Sequence, residues 1–234
     1  MIKHQECSEC QIRGKCIFSD LEGCYLDEVS DKKNINHYPK GSIIFHEHNY
    51  PLGLFGIYKG KVKIYKTAET GKEHILSLAR EGDVLGYRSL VSGEKYEVSA
   101  ATLEDCQVCF IPKNVFMDIL KQSNNLTGTV MEMLTGDLKV AENKITHMAQ
   151  KTVKERVAET LLMLKEFYGF DTDGSTINVS LSREDIANLV GTATETLIRS
   201  LAEFKKNQII DLKGKKISIL NHKLLDRIAN NQNY

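Results

Sequence analysis

No stretch of this 234-residue chain approaches the ~18–20 consecutive apolar residues that a membrane-spanning helix needs. The first ten residues, Met1 to Cys10, are polar and thiol-rich and lack the apolar core of a signal peptide. Both absences point to a cytoplasmic protein with no membrane partner. Net charge is lacking too: 31 Lys and Arg face 31 Asp and Glu, so overall electrostatics give no sign of a nucleic-acid partner. From Lys151 onward the balance is 13 basic against 11 acidic residues, a weak bias. DNA binding has to be argued from a motif instead.

Cysteine is not scarce. Four of the six, Cys7, Cys10, Cys16 and Cys24, fall within the first 24 residues, and Cys106 and Cys109 form a distant pair. In a reducing compartment such clustering favours metal binding or redox chemistry over structural disulfides.

From Ile35 to Pro112 short alternating apolar runs are separated by Gly41, Gly60, Gly71, Gly82 and Gly93. Short strands with glycine corners predict an antiparallel barrel or jelly roll. Beyond Pro112 a short helix is expected at Asn114–Lys121 and a long one over Asn124–Ala149. The long helix carries Val130, Leu134, Leu138, Ala141, Ile145 and Met148 three or four apart, the narrow seam of a dimer interface. Lys151–Tyr168 is a further amphipathic helix stopped by Gly169, and Ile177–Leu181 alternates like a strand.

Ser182 and Asp185 have the spacing of a capping box. The run REDIANLVGTATETLIRSLAEF follows from Arg183. Ile186, Ala187, Leu189 and Val190 give a short first helix its apolar face, and Gly191 sits where the chain must turn sharply. Thr192 or Thr194 can cap a second helix that buries Leu197 and Leu201. This is the pattern of a helix-turn-helix. The second helix would present Thr194, Glu195, Ile198 and Arg199 to a DNA major groove. Arg199 can bind guanine O6 and N7, Glu195 can accept from cytosine N4, and Ile198 can meet a thymine methyl. Ser182 and Thr196 are candidate phosphate contacts, which position without specifying. Ile209–Leu220 reads as a hairpin with the basic tip Lys213-Gly214-Lys215-Lys216, a wing. A single helix reads few base pairs, so a homodimer on a palindromic operator is expected.

A barrel, a long helix and a C-terminal winged helix-turn-helix with G-x-x-x-E-T-x-x-R at Gly191, Glu195, Thr196 and Arg199 together resemble the CRP/FNR superfamily of bacterial regulators. The resemblance covers essentially the whole chain and implies a transcription regulator, not an enzyme, with RNA polymerase as a partner, and leaves activator and repressor both open. It implies that Glu195 and Arg199 read the half-site. Members that recognise the FNR-type site usually have Ser before that Arg; Ile198 stands there, so the half-site is expected to differ. The implied architecture is α+β: a cysteine-rich segment (1–30), a sensory barrel (31–122), a dimerisation helix (123–150) and a winged helix-turn-helix domain (151–234).

Cyclic-nucleotide binders of the superfamily carry a Gly-Glu phosphate cassette followed by Arg-Ser/Thr. Here the stretch is Gly86-Tyr87-Arg88-Ser89-Leu90, and Val98-Ser99 follows, so no cyclic nucleotide is expected. The spacing Cys7-x2-Cys10-x5-Cys16, with Cys109 in V-C-x-I-P, instead resembles the oxygen-sensing FNR branch. That resemblance implies a [4Fe–4S] cluster on Cys7, Cys10, Cys16 and Cys109, four thiolates being what such a cluster takes. The family pattern selects Cys109 over Cys106, which on the residues alone could substitute as a ligand, and gives Cys24 no partner. On the residues alone, structural zinc and metal-free redox thiols remain alternatives, as does the same architecture sensing nitric oxide, haem or a small molecule. A different class, an enzyme on a cupin-like barrel, would use His37, His46, His48 and His74, with His46 and His48 on one strand face.

Overall fold

The computed structural model describes residues 6–69, 71 and 73–230. Two compact units divide the chain, the first ending at Lys139 and the second beginning at Val140.

In the first unit, a short helix α1 (Cys24–Lys32) follows the cysteine segment. Eight strands come next: β1 (Asn34–Tyr38), β2 (Ile43–Phe45), β3 (Gly53–Lys59), β4 (Val62–Thr67), β5 (Glu73–Ala79), β6 (Val84–Leu85), β7 (Ser99–Thr102) and β8 (Cys106–Pro112). They form two four-stranded antiparallel sheets, ordered β1-β8-β3-β6 and β2-β7-β4-β5. Helix α2 (Tyr87–Ser92) interrupts the strands, and α3 (Lys113–Gln122) and α4 (Asn124–Gln150) follow them. The jelly roll read from the alternating runs is therefore observed.

Strand alternation explains why this unit has two cores. Phe55 and Ile57 of β3, with Cys106 and Val108 of β8, face Phe45, Val62 and Ala100 between the sheets. Leu54 and Ile111 point the other way, where they meet Ile17, Phe18, Leu26 and Val29 from the N-terminal segment and α1. Leu126 and Val130 from the start of α4 join that second core. At Gly60 the turn leaves no choice of residue: φ is +106°, and an added Cβ would lie 2.4 Å from the Cys106 Sγ.

Two expectations for this unit need correction. Val130 is 3% exposed, inside its own domain's core, and Leu134 is half-buried against the same core. Met131, Leu138, Ala141, Ile145 and Met148 of α4 are exposed, and Met131 keeps the three-and-four spacing with them that Val130 breaks. His46 and His48 lie beyond the end of β2, and His48 has φ +69°, so they do not share a strand face. Among the described residues no three His, Cys, Asp or Glu side chains are gathered to hold one metal ion.

In the second unit, α5 (Val153–Tyr168) starts at a capping box, Thr152 and Glu155, and is followed by α6 (Arg183–Val190) and α7 (Thr194–Lys206). The hairpin β9 (Ile210–Lys213) and β10 (Lys216–Ile219) comes next, then α8 (His222–Ala229). Residues 177–181 do not form the expected strand: Thr176 and Ile177 make only isolated bridges, to Ser218 and Phe170. The core joins Val157, Leu161, Leu181, Ile186, Leu197, Leu201, Phe204 and Leu225. No helix among the described residues is long and apolar enough to cross a membrane.

Candidate functional site

The helix-turn-helix is held by local chemistry. The Ser182 Oγ accepts from the Asp185 backbone N at 3.0 Å, and the Asp185 carboxylate accepts from the Ser182 N at 2.9 Å, a reciprocal cap at the start of α6. Gly191 ends that helix at φ 72°, ψ 49°, a left-handed geometry that glycine adopts at least cost. A side chain there would also crowd the Met148 Cε, 3.2 Å from the position of an added Cβ. The N-cap of α7 is Ala193, with no side-chain cap, so neither threonine plays the capping role expected of it.

The geometry divides the expected DNA contacts. Leu197, Ser200, Leu201 and Phe204 face inward, which turns the opposite side of α7 to solvent. Glu195, Ile198 (49% exposed) and Arg199 lie there, with Thr194 and Thr196 half-buried beside them. Among the described residues no ion pair engages Glu195 or Arg199. The Ser182 hydroxyl is half-buried and hydrogen-bonded to Asp185 at 2.7 Å.

Two arginines that the motif did not single out organise this surface. Arg156 on α5 donates to the carbonyls of Val190, Gly191 and Lys151 at 3.1, 3.3 and 2.9 Å. Arg183 donates to the Gly214 carbonyl at 2.9 Å, joining the first helix of the motif to the tip of the hairpin. At that tip Lys213 and Lys215 are exposed, while Lys216 pairs with Asp171 at 2.6 Å.

The second site lies wholly in the first unit. Cys7, Cys10, Cys16 and Cys109 line one small cavity together with the apolar Phe18, Leu26, Val29 and Ile111 and the basic Arg13 and Lys33. Tight turns shape the cysteine segment: the Cys10 N donates to the Cys7 carbonyl at 3.3 Å, the Arg13 N to the Cys10 carbonyl, and the Cys16 N to the Arg13 carbonyl. Period-two alternation along β8 separates the other pair. Cys109 faces the cavity, whereas Cys106 is buried between the sheets and donates to the carbonyls of Lys61 and Glu104. Cys24 is exposed at the start of α1.

Burial pushes the Cys109 thiol up to about 11 against the opposing pull of Lys33, and Cys16, Cys10 and Cys7 raise it further. Burial likewise raises Cys16. All six cysteines are free thiols. Four soft sulfur donors among apolar walls are the donor chemistry of a sulfur-ligated iron cluster, although among the described residues they are not gathered around one ion. A tetrahedral zinc site would need the four sulfurs drawn around one ion at ~2.3 Å bonds.

The segment that would be the phosphate cassette forms the start of α2. There the Tyr87 hydroxyl donates to Asp137 of α4; burial, and then that bond, raises the phenol well above its ordinary range.

Comparison with known proteins agrees across both units. Residues 35–123 match the family profile of the cyclic nucleotide-binding domain, and residues 155–228 that of the Crp-like helix-turn-helix domain. Over 230 residues the chain is 30% identical to the Fumarate and nitrate reduction regulatory protein of Vibrio cholerae, covering 95% of this chain and 90% of that one. Identity and coverage are the same for the protein of that name from Escherichia coli. Among solved structures, a transcriptional regulator of the CRP/FNR family from Eubacterium rectale superposes with a TM-score of 0.74 at 23% identity, over 92% of this chain and 97% of that one.

Proposed function

The chain belongs to the CRP/FNR family of DNA-binding transcription regulators, and on that premise we propose that it senses oxygen through a [4Fe–4S] cluster. The observation that carries the reading is the convergence of Cys7, Cys10, Cys16 and Cys109 on one apolar-walled cavity. Those four residues would hold the cluster, which supplies redox and oxygen-reactive chemistry when bound. Cys24 and Cys106 take no part.

The protein's own residues supply the coupling. Cys16 and Cys109 would tie the N-terminal segment to β8. The neighbouring Ile17, Phe18 and Leu21 share a core with Val115, Phe116, Leu126 and Val130. Whatever loosens the segment therefore loosens the packing under the start of α4. On α4 the exposed stripe Met131, Leu138, Ala141, Ile145 and Met148 is the proposed homodimer seam; Leu138, Ile145 and Met148 are 60%, 70% and 50% exposed. A dimer presents two α7 helices to a palindromic operator, with Glu195, Ile198 and Arg199 reading bases. Thr194 and Thr196 would contact the DNA backbone, whereas the Ser182 hydroxyl is engaged in the Asp185 cap. The reading assigns no cyclic nucleotide and no catalytic reaction, and takes RNA polymerase as the partner through which the bound dimer acts.

Selection of DNA from a random library with anaerobically prepared protein tests this. The expected product is a two-fold symmetric site with half-sites one helical turn apart, lost when the protein is exposed to air before binding. Equal binding before and after exposure would contradict oxygen sensing while leaving DNA recognition intact.

A further inference from the structure

Lys33 is 5% exposed, unusual for a residue whose charge is costly to take out of water. It follows directly on the last turn of α1, and its Nζ donates to the Cys7 Sγ at 3.0 Å. The same helix holds Cys7 a second time, since the Cys7 backbone N donates to the Ser30 Oγ at 3.0 Å. Among the described residues no carboxylate pairs with Lys33. It lines the same cavity as Cys7, Cys10, Cys16, Cys109 and the apolar Phe18, Leu26, Val29 and Ile111. The other basic residue at the cavity, Arg13, donates instead to the Leu21 carbonyl at 3.0 Å. The carbonyl end of α1 offsets part of the ammonium's burial cost. Neutral thiols offset little of the remainder, whereas thiolates on a metal cluster carry the missing negative charge.

We propose that Lys33, without being a ligand, donates a hydrogen bond to the Cys7 sulfur and sets a fixed positive charge against the four-thiolate site, thereby fixing the reduction potential of the bound cluster and its lifetime in air. The inference rests on the cluster reading above. Cluster potentials respond to net charge, to hydrogen bonds on the sulfurs and to solvent exposure. A buried cation favours the reduced, more negative state. Its removal moves the potential downward and makes oxidation easier.

The test compares wild type with Lys33→Met, which keeps length and apolar stem, and Lys33→Arg, which keeps the charge. Each is prepared anaerobically as the full chain. The midpoint potential is read by spectroelectrochemical titration, and the loss of visible cluster absorbance is timed in aerated buffer. Lys33→Met is expected to titrate at a more negative potential and to bleach several-fold faster, with Lys33→Arg close to wild type. A folded Lys33→Met that takes up no cluster, beside a Lys33→Arg that loads normally, equally supports the charge role. An unchanged potential and lifetime in Lys33→Met, or equal shifts in both variants, would overturn it. Circular dichroism checks folding, and Lys33→Gln replaces Lys33→Met if the latter does not fold. A wild type lacking iron and sulfide sinks the cluster reading and this inference together. A cluster-bearing wild type whose potential ignores Lys33→Met sinks only the role of Lys33.

Discussion

The guanidinium of Arg156 reaches the carbonyl of Gly191 with one nitrogen, at 3.3 Å, while another takes that of Val190 at 3.1 Å. One planar fork from α5 thus closes the carbonyl end of α6 and fixes the turn that aims α7. Arg156→Ala is expected to destabilise the DNA-binding unit by about 1–3 kcal/mol, because it leaves partly buried carbonyls without donors. Arg156→Lys should restore only part of this, since an ammonium cannot span the same fork. Urea unfolding followed by circular dichroism measures both.

Recognition should separate from stability at Arg199 and Ile198. Both are exposed on α7, so neither Arg199→Ala nor Ile198→Ser should shift the melting temperature appreciably. Arg199→Ala is expected to cost about 1–3 kcal/mol of binding and to relax selection at one guanine. Ile198→Ser should change the preferred half-site with little change in non-specific affinity. Binding measured across a library of half-site variants reads both effects.

On α4, one residue's step decides between core and seam. Val130→Ala should cost about 1–3 kcal/mol of stability in the first unit through lost burial and the cavity left behind, and leave self-association unchanged. Ile145→Glu should do the reverse, since Ile145 is 70% exposed. Sedimentation velocity and thermal melts on the two variants give opposite patterns if the seam lies where Met131, Leu138 and Ile145 place it.

Acid sensitivity has a local origin beside the hairpin. Asp173 accepts from the Thr176 hydroxyl and from the backbone N–H groups of Thr176 and Ser175, which lowers its pKa to about 2. A carboxyl depressed in the fold stabilises it above the unfolded pKa of ~3.9 and loses that contribution as pH falls through the folded value. Asp173→Asn should therefore be less stable than wild type near neutrality, and the difference should shrink on acidification between about pH 4 and 2. Paired denaturation curves across that range check it.

What the sequence made legible follows from the distance over which each feature is written. The Ser182–Asp185 cap, the Gly191 turn and the inward Leu197 and Leu201 are specified within some twenty residues, so the motif could be read directly. Strand alternation with glycine corners likewise gave the jelly roll. Helix periodicity places α4 but does not tell which flank its own barrel covers, and so Val130 is buried while Met131 is exposed. A capping threonine is expected for α7, yet the N-cap is Ala193, with no side-chain cap. Residues 177–181 alternate, but find only isolated bridges rather than a ladder. Lys33 and Arg156 were invisible because their partners lie 26 and 34 residues away, and nothing local marks a lysine or an arginine as buried against sulfur or carbonyl.

Oxygen sensing by this protein depends on what Cys7, Cys10, Cys16 and Cys109 hold. The direct measurement is iron and acid-labile sulfide per chain, with the visible spectrum, in protein purified without exposure to air. The expected result is a coloured protein with about four of each per chain, abolished by Cys109→Ser but not by Cys106→Ser or Cys24→Ser. A colourless, iron-free protein that still binds its operator would contradict it.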